Sequence, residues 1–232
     1  MTHEHPTGTR TAPHRDASES EGGPPGSLPA ADGAALSLSG ELLRKGLHLL
    51  ALLIPAGMYV LERSSALLLL LPLAFAAVGA DLLRARSPRF ERFILSIFGR
   101  MMRPRERPRV GGRPVINGAT WVLVAAAILT VVFPVELSAP GFAAFMVADA
   151  AAAIIGLRFG RTRWPGTHRT VEGSVTFVTV ALLCLLPFDA ISAPAAAASA
   201  LTGAAVEAPD WAVNDNLRVP IVMVGVLLLW AL

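Results

Sequence analysis

Residues 145–160 read FMVADAAAAIIGLRFG, an apolar run of helical length with one carboxylate, Asp149, in its interior and an arginine, Arg158, at its end. An ionised group inside a hydrocarbon layer is expensive, so an acid placed here either hydrogen-bonds between tightly packed helices or serves a function. Asp149 precedes Arg158 by nine residues, about 13 Å along a helix that rises ~1.5 Å per residue. The carboxylate therefore sits in the half of the run nearest the arginine. Ala153, Gly156 and Gly160 follow at i+4, i+7 and i+11, so small residues form a stripe from the acid to the water.

The same pattern recurs along the chain. Seven apolar stretches lie at residues 46–61, 66–83, 118–135, 140–157, 173–188, 190–207 and 217–232, against the ~20 residues that a bilayer-spanning helix needs. Hydrophobic residues make up 53% of the 232, charged residues 16%, and the mean hydropathy is +0.56, where a soluble domain carries roughly 25% charged residues. This excludes an ordinary soluble globular protein. The expected fold is all-α, a polytopic membrane helix bundle of about seven transmembrane helices plus one interfacial amphipathic helix. The sixth stretch, AISAPAAAASALTGAAVEA, is the least apolar, and Pro194 would disturb a helix interior. Its small residues suit close packing inside the bundle. Residues 1–40 lack apolar periodicity and read as a disordered cytoplasmic tail with no secretory h-region, its His3, His5 and His14 belonging to a flexible segment. Residues 41–232 hold the membrane domain.

Charge orients the bundle. A pI near 9.9 suits nucleic acid, but the hydropathy turns the basic charge toward a membrane surface instead, and no nucleic-acid partner is expected. If the first span starts in the cytoplasm, 17 basic residues fall on one side and one, Arg63, on the other. The positive-inside rule then puts the N-terminus and the long loops in the cytoplasm and the C-terminus outside, in an integral multi-pass protein. Within the second loop, Phe90, Phe93, Ile94, Ile97, Phe98, Met101 and Met102 recur at helical spacing, while Arg89, Glu91, Arg92 and Arg100 fall mostly elsewhere. This predicts an amphipathic helix in the headgroup layer, an anchor or one wall of a lipid entrance. The single cysteine, Cys184, excludes an intramolecular disulfide and a cysteine metal cluster.

Three connections carry chemistry on the arginine-rich side. In RFGRTRWPGTHRTVEGS, residues 158–174, Arg158, Arg161, Arg163, His168 and Arg169 surround two glycines before a Thr170-Val-Glu172-Gly173-Ser174 turn. Arginine forks match phosphate, and an open helix N-terminus offers amide donors to an anion, so the loop suits a nucleotide triphosphate. Glu172 is an acid where topology asks only for bases; it serves as a helix cap or takes part in the site. In VEAPDWAVNDNLRVP, residues 206–220, Glu207, Asp210, Asp215, Asn216 and Arg218 reach the same face. Carboxylate and amide oxygens are what Mg²⁺ takes, and with Asp149 and Glu172 they supply such a set, Asp210 being left to a solvated loop. In ELLRKGLHLL, residues 41–50, Glu41, Arg44, Lys45 and His48 share one helical face. Snorkelling explains the two bases but not the histidine.

Taken in order, RKGLH at 44–48, NGATW at 117–121, AD(x)6G(x)3G at 148–160, HRTVEGS at 168–174 and VEAP(x)5DN(x)3P at 206–220 resemble the CTP-dependent lipid kinases, a polytopic family that includes dolichol kinase, phytol kinase and eukaryotic-type diacylglycerol kinase. The likeness covers residues 41–232. Ala148 stands where the family usually has Gly, and Arg169 where it commonly has Lys. The resemblance implies an enzyme that transfers the γ-phosphoryl group of CTP to the hydroxyl of a lipid alcohol, with Mg²⁺ as cofactor and CTP, a lipid alcohol and membrane lipids as partners. It implies catalytic roles for Asp149, Glu172 and Asp215, metal contacts from Asp149, Glu207 and Asp215, and nucleotide contacts from Arg161, Arg169, Thr170, Gly173, Asn216, Lys45 and His48. Two other readings compete: a phosphatidate cytidylyltransferase, whose long C-terminal signature is missing here, and a small transporter coupled through Asp149, although internal repeats are not evident.

Overall fold

The computed structural model of this chain describes Leu43, Gly46, Leu47, residues 49–100, Met102 and residues 111–232, all within one compact unit. The tail over residues 1–40 and the expected site residues Lys45 and His48 lie outside the described residues. Among those described, the structure is all-helical: α1 Leu53–Val60, α2 Arg63–Arg86, α3 Pro88–Phe98, α4 Gly118–Val132, α5 Val135–Phe159, α6 Val171–Leu185, α7 Ala193–Glu207 and α8 Asp215–Ala231. Strand pairing is limited, among these residues, to an isolated antiparallel bridge between Arg163 and Thr170.

Local chemistry sets the helix ends. Leu49 and Leu50 are helical, but Ala51 and Leu52 form a turn before α1, because Pro55 has no N–H to return to the Ala51 carbonyl. Ile54 N donates to that oxygen instead, at 2.9 Å. The sixth stretch is a regular helix in spite of its proline. Ser192 caps α7 by accepting from Ala195 N, and Pro194 falls in the first turn, where a missing N–H is harmless. Asn117, Thr170 and Asn214 cap α4, α6 and α8 in the same way.

Helix α5 is the centre, packed on α6, α1, α8 and α4, while α7 packs between α6 and α8, and α2 against α4. Close approach is made by small residues. A Cβ at Gly141 would stand 2.6 Å from Val224 Cγ2, and one at Gly203 2.8 Å from Met223 Sδ, so α5 and α7 both reach α8 through glycines. Two helices, α2 with 24 residues and α5 with 25, are long and apolar enough to cross a membrane; α4 and α6 are apolar but shorter. Helix α2 leaves Leu68, Leu69 and Phe75 exposed, an apolar surface of the kind that marks a membrane or protein contact.

Helix α3 forms where periodicity predicts it but departs from the expected distribution of charge. Glu91, assigned to the polar face, is buried at 6% exposure, whereas Phe93 and Ile97 are more than half exposed. The acid turns inward because Arg84 of α2 is there to receive it: Arg84 Nε donates to Glu91 Oε2 at 2.7 Å.

Candidate active site

Six chain segments bring polar residues together at one end of the bundle: the C-terminal ends of α2, α5 and α7 and the N-terminal ends of α4, α6 and α8. The loop between α5 and α6 begins the site. Trp164-Pro165-Gly166-Thr167 turns with Thr167 N donating to Trp164 O at 3.2 Å and Gly166 at φ 72°. That is the proline-then-glycine order of a type II turn, in which the third residue must be left-handed. Trp164 N to Arg169 O and Val171 N to Thr162 O, at 3.1 and 2.9 Å, close the hairpin and bring Arg169 back over the helix ends.

Arg169 is the hub. Its NH1 pairs with Glu207 Oε1 and lies 3.7 Å from Asp149 Oδ1, and its NH2 donates to Asp215 Oδ2 at 2.7 Å. Four separate elements thus meet on one guanidinium: α5, the hairpin, the last turn of α7 and the first turn of α8. Burial opposes the Arg169 charge, but Glu207, Asp149, Asp215 and Asp210 outweigh it and raise the guanidinium pKa above its ordinary value. Glu207 and Asp149 are buried, whereas the Asp215 side chain is 30% exposed, so the cluster opens to water on the α8 side.

The other expected residues are placed differently. Thr170 caps α6, its Oγ1 accepting from Gly173 N at 3.1 Å, and Val171 N is taken by Thr162. The helix N-terminus expected to offer open amides therefore has those two donors occupied. Nor is the small-residue stripe on α5 an open path to water. A Cβ at Gly156 would meet Thr170 Oγ1 at 2.9 Å, and one at Gly173 would meet it at 3.0 Å and Ala152 O at 3.1 Å, so the stripe is the seat of the Thr170 side chain. Glu172, expected to act at the metal or the acceptor hydroxyl, accepts instead from Thr162 N at 3.2 and 3.3 Å. Its own amide, with those of Arg161 and Thr162, holds its carboxyl below the usual carboxylate range. The Arg161 side chain is exposed. Asn216 is buried and donates from Nδ2 to Gly118 O at 3.1 Å, tying the N-termini of α8 and α4 together.

A second polar group went unread in the sequence. Asp81 and Arg84 are each 1% exposed. Asp81 accepts from Asn117 N and Nδ2, Thr120 Oγ1 and Arg84 NH1, all between 2.7 and 3.0 Å. Asp81 lies inside the apolar stretch 66–83, where the rule that singled out Asp149 applies to it equally, and an arginine three residues on is the partner that rule asks for. Through Asn117, Gly118 and Asn216 this group is linked by backbone and hydrogen bonds to Asp215 and so to Arg169.

Among the described residues, Asp149, Glu207 and Asp215 bring hard anionic oxygen together around Arg169, the donor chemistry of a divalent cation, with Arg218 within electrostatic reach of Asp215 and Glu207. Each turns toward Arg169, however, and among the described residues no three acidic, histidine or cysteine side chains stand close enough to hold a metal on their own. A cavity of about 740 Å³ lies between α6 and α7, with Trp164, Pro165 and Thr167 of the hairpin in its lining and none of the four charged residues of the cluster. Helix α3, read from the sequence as an anchor or one wall of a lipid entrance, is not in its lining.

No family model matches the chain, and no solved structure does. An uncharacterized protein of Rickettsia prowazekii is 23% identical over 142 residues, 61% of this chain and 67% of that protein. Over a shorter stretch of 46 residues, 18% of this chain and 9% of its relative, the sequence is 46% identical to the dolichol kinase of Saccharomyces cerevisiae. The chain is thus similar to a named enzyme over less than a fifth of its length, and that enzyme is a kinase.

Proposed function

We propose that this chain is a multi-pass membrane kinase that transfers the γ-phosphoryl group of CTP to the hydroxyl of a lipid alcohol of polyprenol, phytol or diacylglycerol type. The observation that carries the proposal is the meeting of Asp149, Arg169, Glu207 and Asp215, four charged groups from four elements, at one buried end of the bundle. The short likeness to dolichol kinase supports the same reaction. Seven spans within residues 41–232, with the Arg169 end in the cytoplasm, are supported by the 17-to-one division of basic charge and by the alternation of helix ends.

Phosphoryl transfer is mostly positioning and charge neutralisation. The acceptor oxygen forms a bond to the γ-phosphorus, the bond to the β-bridging oxygen breaks, CDP leaves, and the hydroxyl proton passes to water or a carboxylate. In this role Arg169 holds a phosphate and Arg161 attracts the nucleotide from the exposed edge. Thr170, Gly173, Glu172 and Asn216 fix the frame around Arg169. Lys45 and His48 enter on the resemblance alone. Mg²⁺ commonly takes one or two carboxylates together with phosphate oxygens and waters, so one or two of Asp149, Glu207 and Asp215 would hold it with the nucleotide, and it would supply neutralisation of the transferring group.

The test is incubation of the purified protein in lipid with γ-labelled CTP and a panel of prenols and diacylglycerol. The expected result is label in a lipid phosphate with release of CDP. Pyrophosphate release with a CDP-lipid product, or no transfer to any lipid, would overturn the assignment.

A further inference from the structure

We propose that the cavity between α6 and α7 seats the hydrocarbon chain of a long-chain alcohol, with its hydroxyl end at the Arg169 cluster. The identity of the alcohol as a substrate rests on the kinase reading; the seat itself does not. The volume, about 740 Å³, falls in the range of small-molecule sites, roughly 300–1,000 Å³. Its walls are two helical stripes. Val171, Val175 and Val178 stand at i, i+4 and i+7 on α6, and Leu201, Ala204 and Ala208 at i, i+3 and i+7 on α7. The alanines leave the slot open; larger residues there would close it.

The polar atoms in the lining are already engaged. Thr179 Oγ1 donates to Val175 O at 2.9 Å, Ser174 Oγ accepts from Trp164 Nε1 at 3.0 Å, and Thr167 Oγ1 accepts from Arg169 N at 3.1 Å. Walls whose hydroxyls each already hold one partner make little demand for water and suit an apolar occupant. Chain adjacency gives the occupant its direction. Ala208 directly follows Glu207, Thr167 and Val171 each lie two residues from Arg169, and Trp164 and Pro165 of the hairpin line the same end. A chain lying between the two stripes therefore ends at the hairpin and the last turn of α7, next in sequence to Arg169 and Glu207, and lies between apolar side chains over the rest of its length. An alcohol fits this gradient and an alkane does not, because only the alcohol has a group for the polar end.

The experiment is photolabelling of the full chain in phosphatidylcholine nanodiscs, without nucleotide, by a twenty-carbon prenol with a diazirine on its chain. Peptide mapping is expected to find label on α6 and α7 around Val175 and Ala205. Excess unlabelled prenol should compete, an alkane of equal length should not, and Ala205→Phe should reduce the labelling roughly tenfold. Val175 and Ala205 are exposed, so Ala205→Phe and a second variant, Val175→Trp, should fold. With CTP present, both variants should raise KM for the alcohol and leave KM for CTP unchanged. Label spread equally over the exposed face of α2, competition by the alkane, indifference to both substitutions, or exclusion of the probe by a second copy of the chain would each overturn the proposal. Groove labelling without phosphorylation of any alcohol would overturn the kinase reading and leave the seat standing. Phosphorylation with label elsewhere would do the reverse.

Discussion

Two buried charge clusters stand at the same end of this bundle, and they differ in how their carboxylates are satisfied. Around Arg84, Asp81 receives four donors from Asn117, Thr120 and Arg84, Glu91 takes the rest of the guanidinium, and Asp81 and Arg84 are almost wholly removed from water. Around Arg169, three acids draw on one guanidinium, and Asp215 faces water. Donors saturate the first cluster and fasten α2, α3 and α4 together. The second gathers three carboxylates on Arg169 in a partly open position, where a cation or a phosphate-metal pair could be reached from water. Burial of charge alone does not distinguish structure from chemistry; access from water to part of the cluster does.

The largest expected effect breaks the first cluster. Arg84→Ala leaves Asp81 and Glu91 buried without their cation and should destabilise the protein by about 3–5 kcal/mol, read as a lower unfolding temperature in detergent. Whatever protein remains folded should keep the wild-type KM for CTP. The next effect concerns the second cluster. Arg169→Ala should weaken CTP roughly tenfold to a hundredfold, since a charge-assisted hydrogen bond contributes about 1.5–3 kcal/mol, and should leave lipid affinity nearly unchanged. Equal loss for both ligands would make Arg169 a fastening like Arg84. Smaller again is Thr170→Ala, which removes the cap of α6 and should reduce stability by about 1 kcal/mol, measured by the same thermal unfolding.

The smallest expected effect is a pH dependence. Glu172 is held below the usual carboxylate range by amides of its own residue, Arg161 and Thr162. A carboxylate whose folded pKa is depressed contributes stability that is present above its unfolded value and lost as the pH falls through the folded one. Protection of the Thr162 amide, taken relative to its intrinsic exchange rate at each pH, should therefore fall on acidification below the ordinary carboxylate range, and Glu172→Gln should remove that response. A protection factor at Thr162 that does not change with pH in the wild type would contradict the anchoring role.

Much of the fold was legible because period and punctuation agree in this sequence. The apolar stretches gave the helices, and Asn117, Thr170, Ser192 and Asn214 are cap residues in cap positions. Trp164-Pro165-Gly166-Thr167 carries its turn type in its letters. Asp149 stands out by the cost that lipid sets on charge, and Glu207 and Asp215 as carboxylates beside apolar stretches on the same face. What stayed hidden depended on partners far apart in the chain. Asp81 meets Asn117 and Thr120 across 36 and 39 residues, and no local pattern announces that. Gly156, Gly160 and Gly173 suggested a channel or a phosphate cradle, yet they make room for Thr170. The sequence shows that a small residue is needed and does not show what fills the space beside it.

The central claim is that the Arg169 cluster performs chemistry while the Arg84 cluster holds the fold, and the transfer rate of folded Asp149→Asn tests it most directly. The substitution keeps the volume and removes one anionic ligand. The predicted result is a fall in phosphoryl transfer of roughly a hundredfold or more, an unfolding temperature near that of the wild type, and partial recovery with raised Mg²⁺ or Mn²⁺. Asp215→Asn should follow, and Asp210→Asn, on the exposed loop, should not. A folded Asp149→Asn protein that phosphorylates lipid at the wild-type rate would contradict the claim and make both clusters structural.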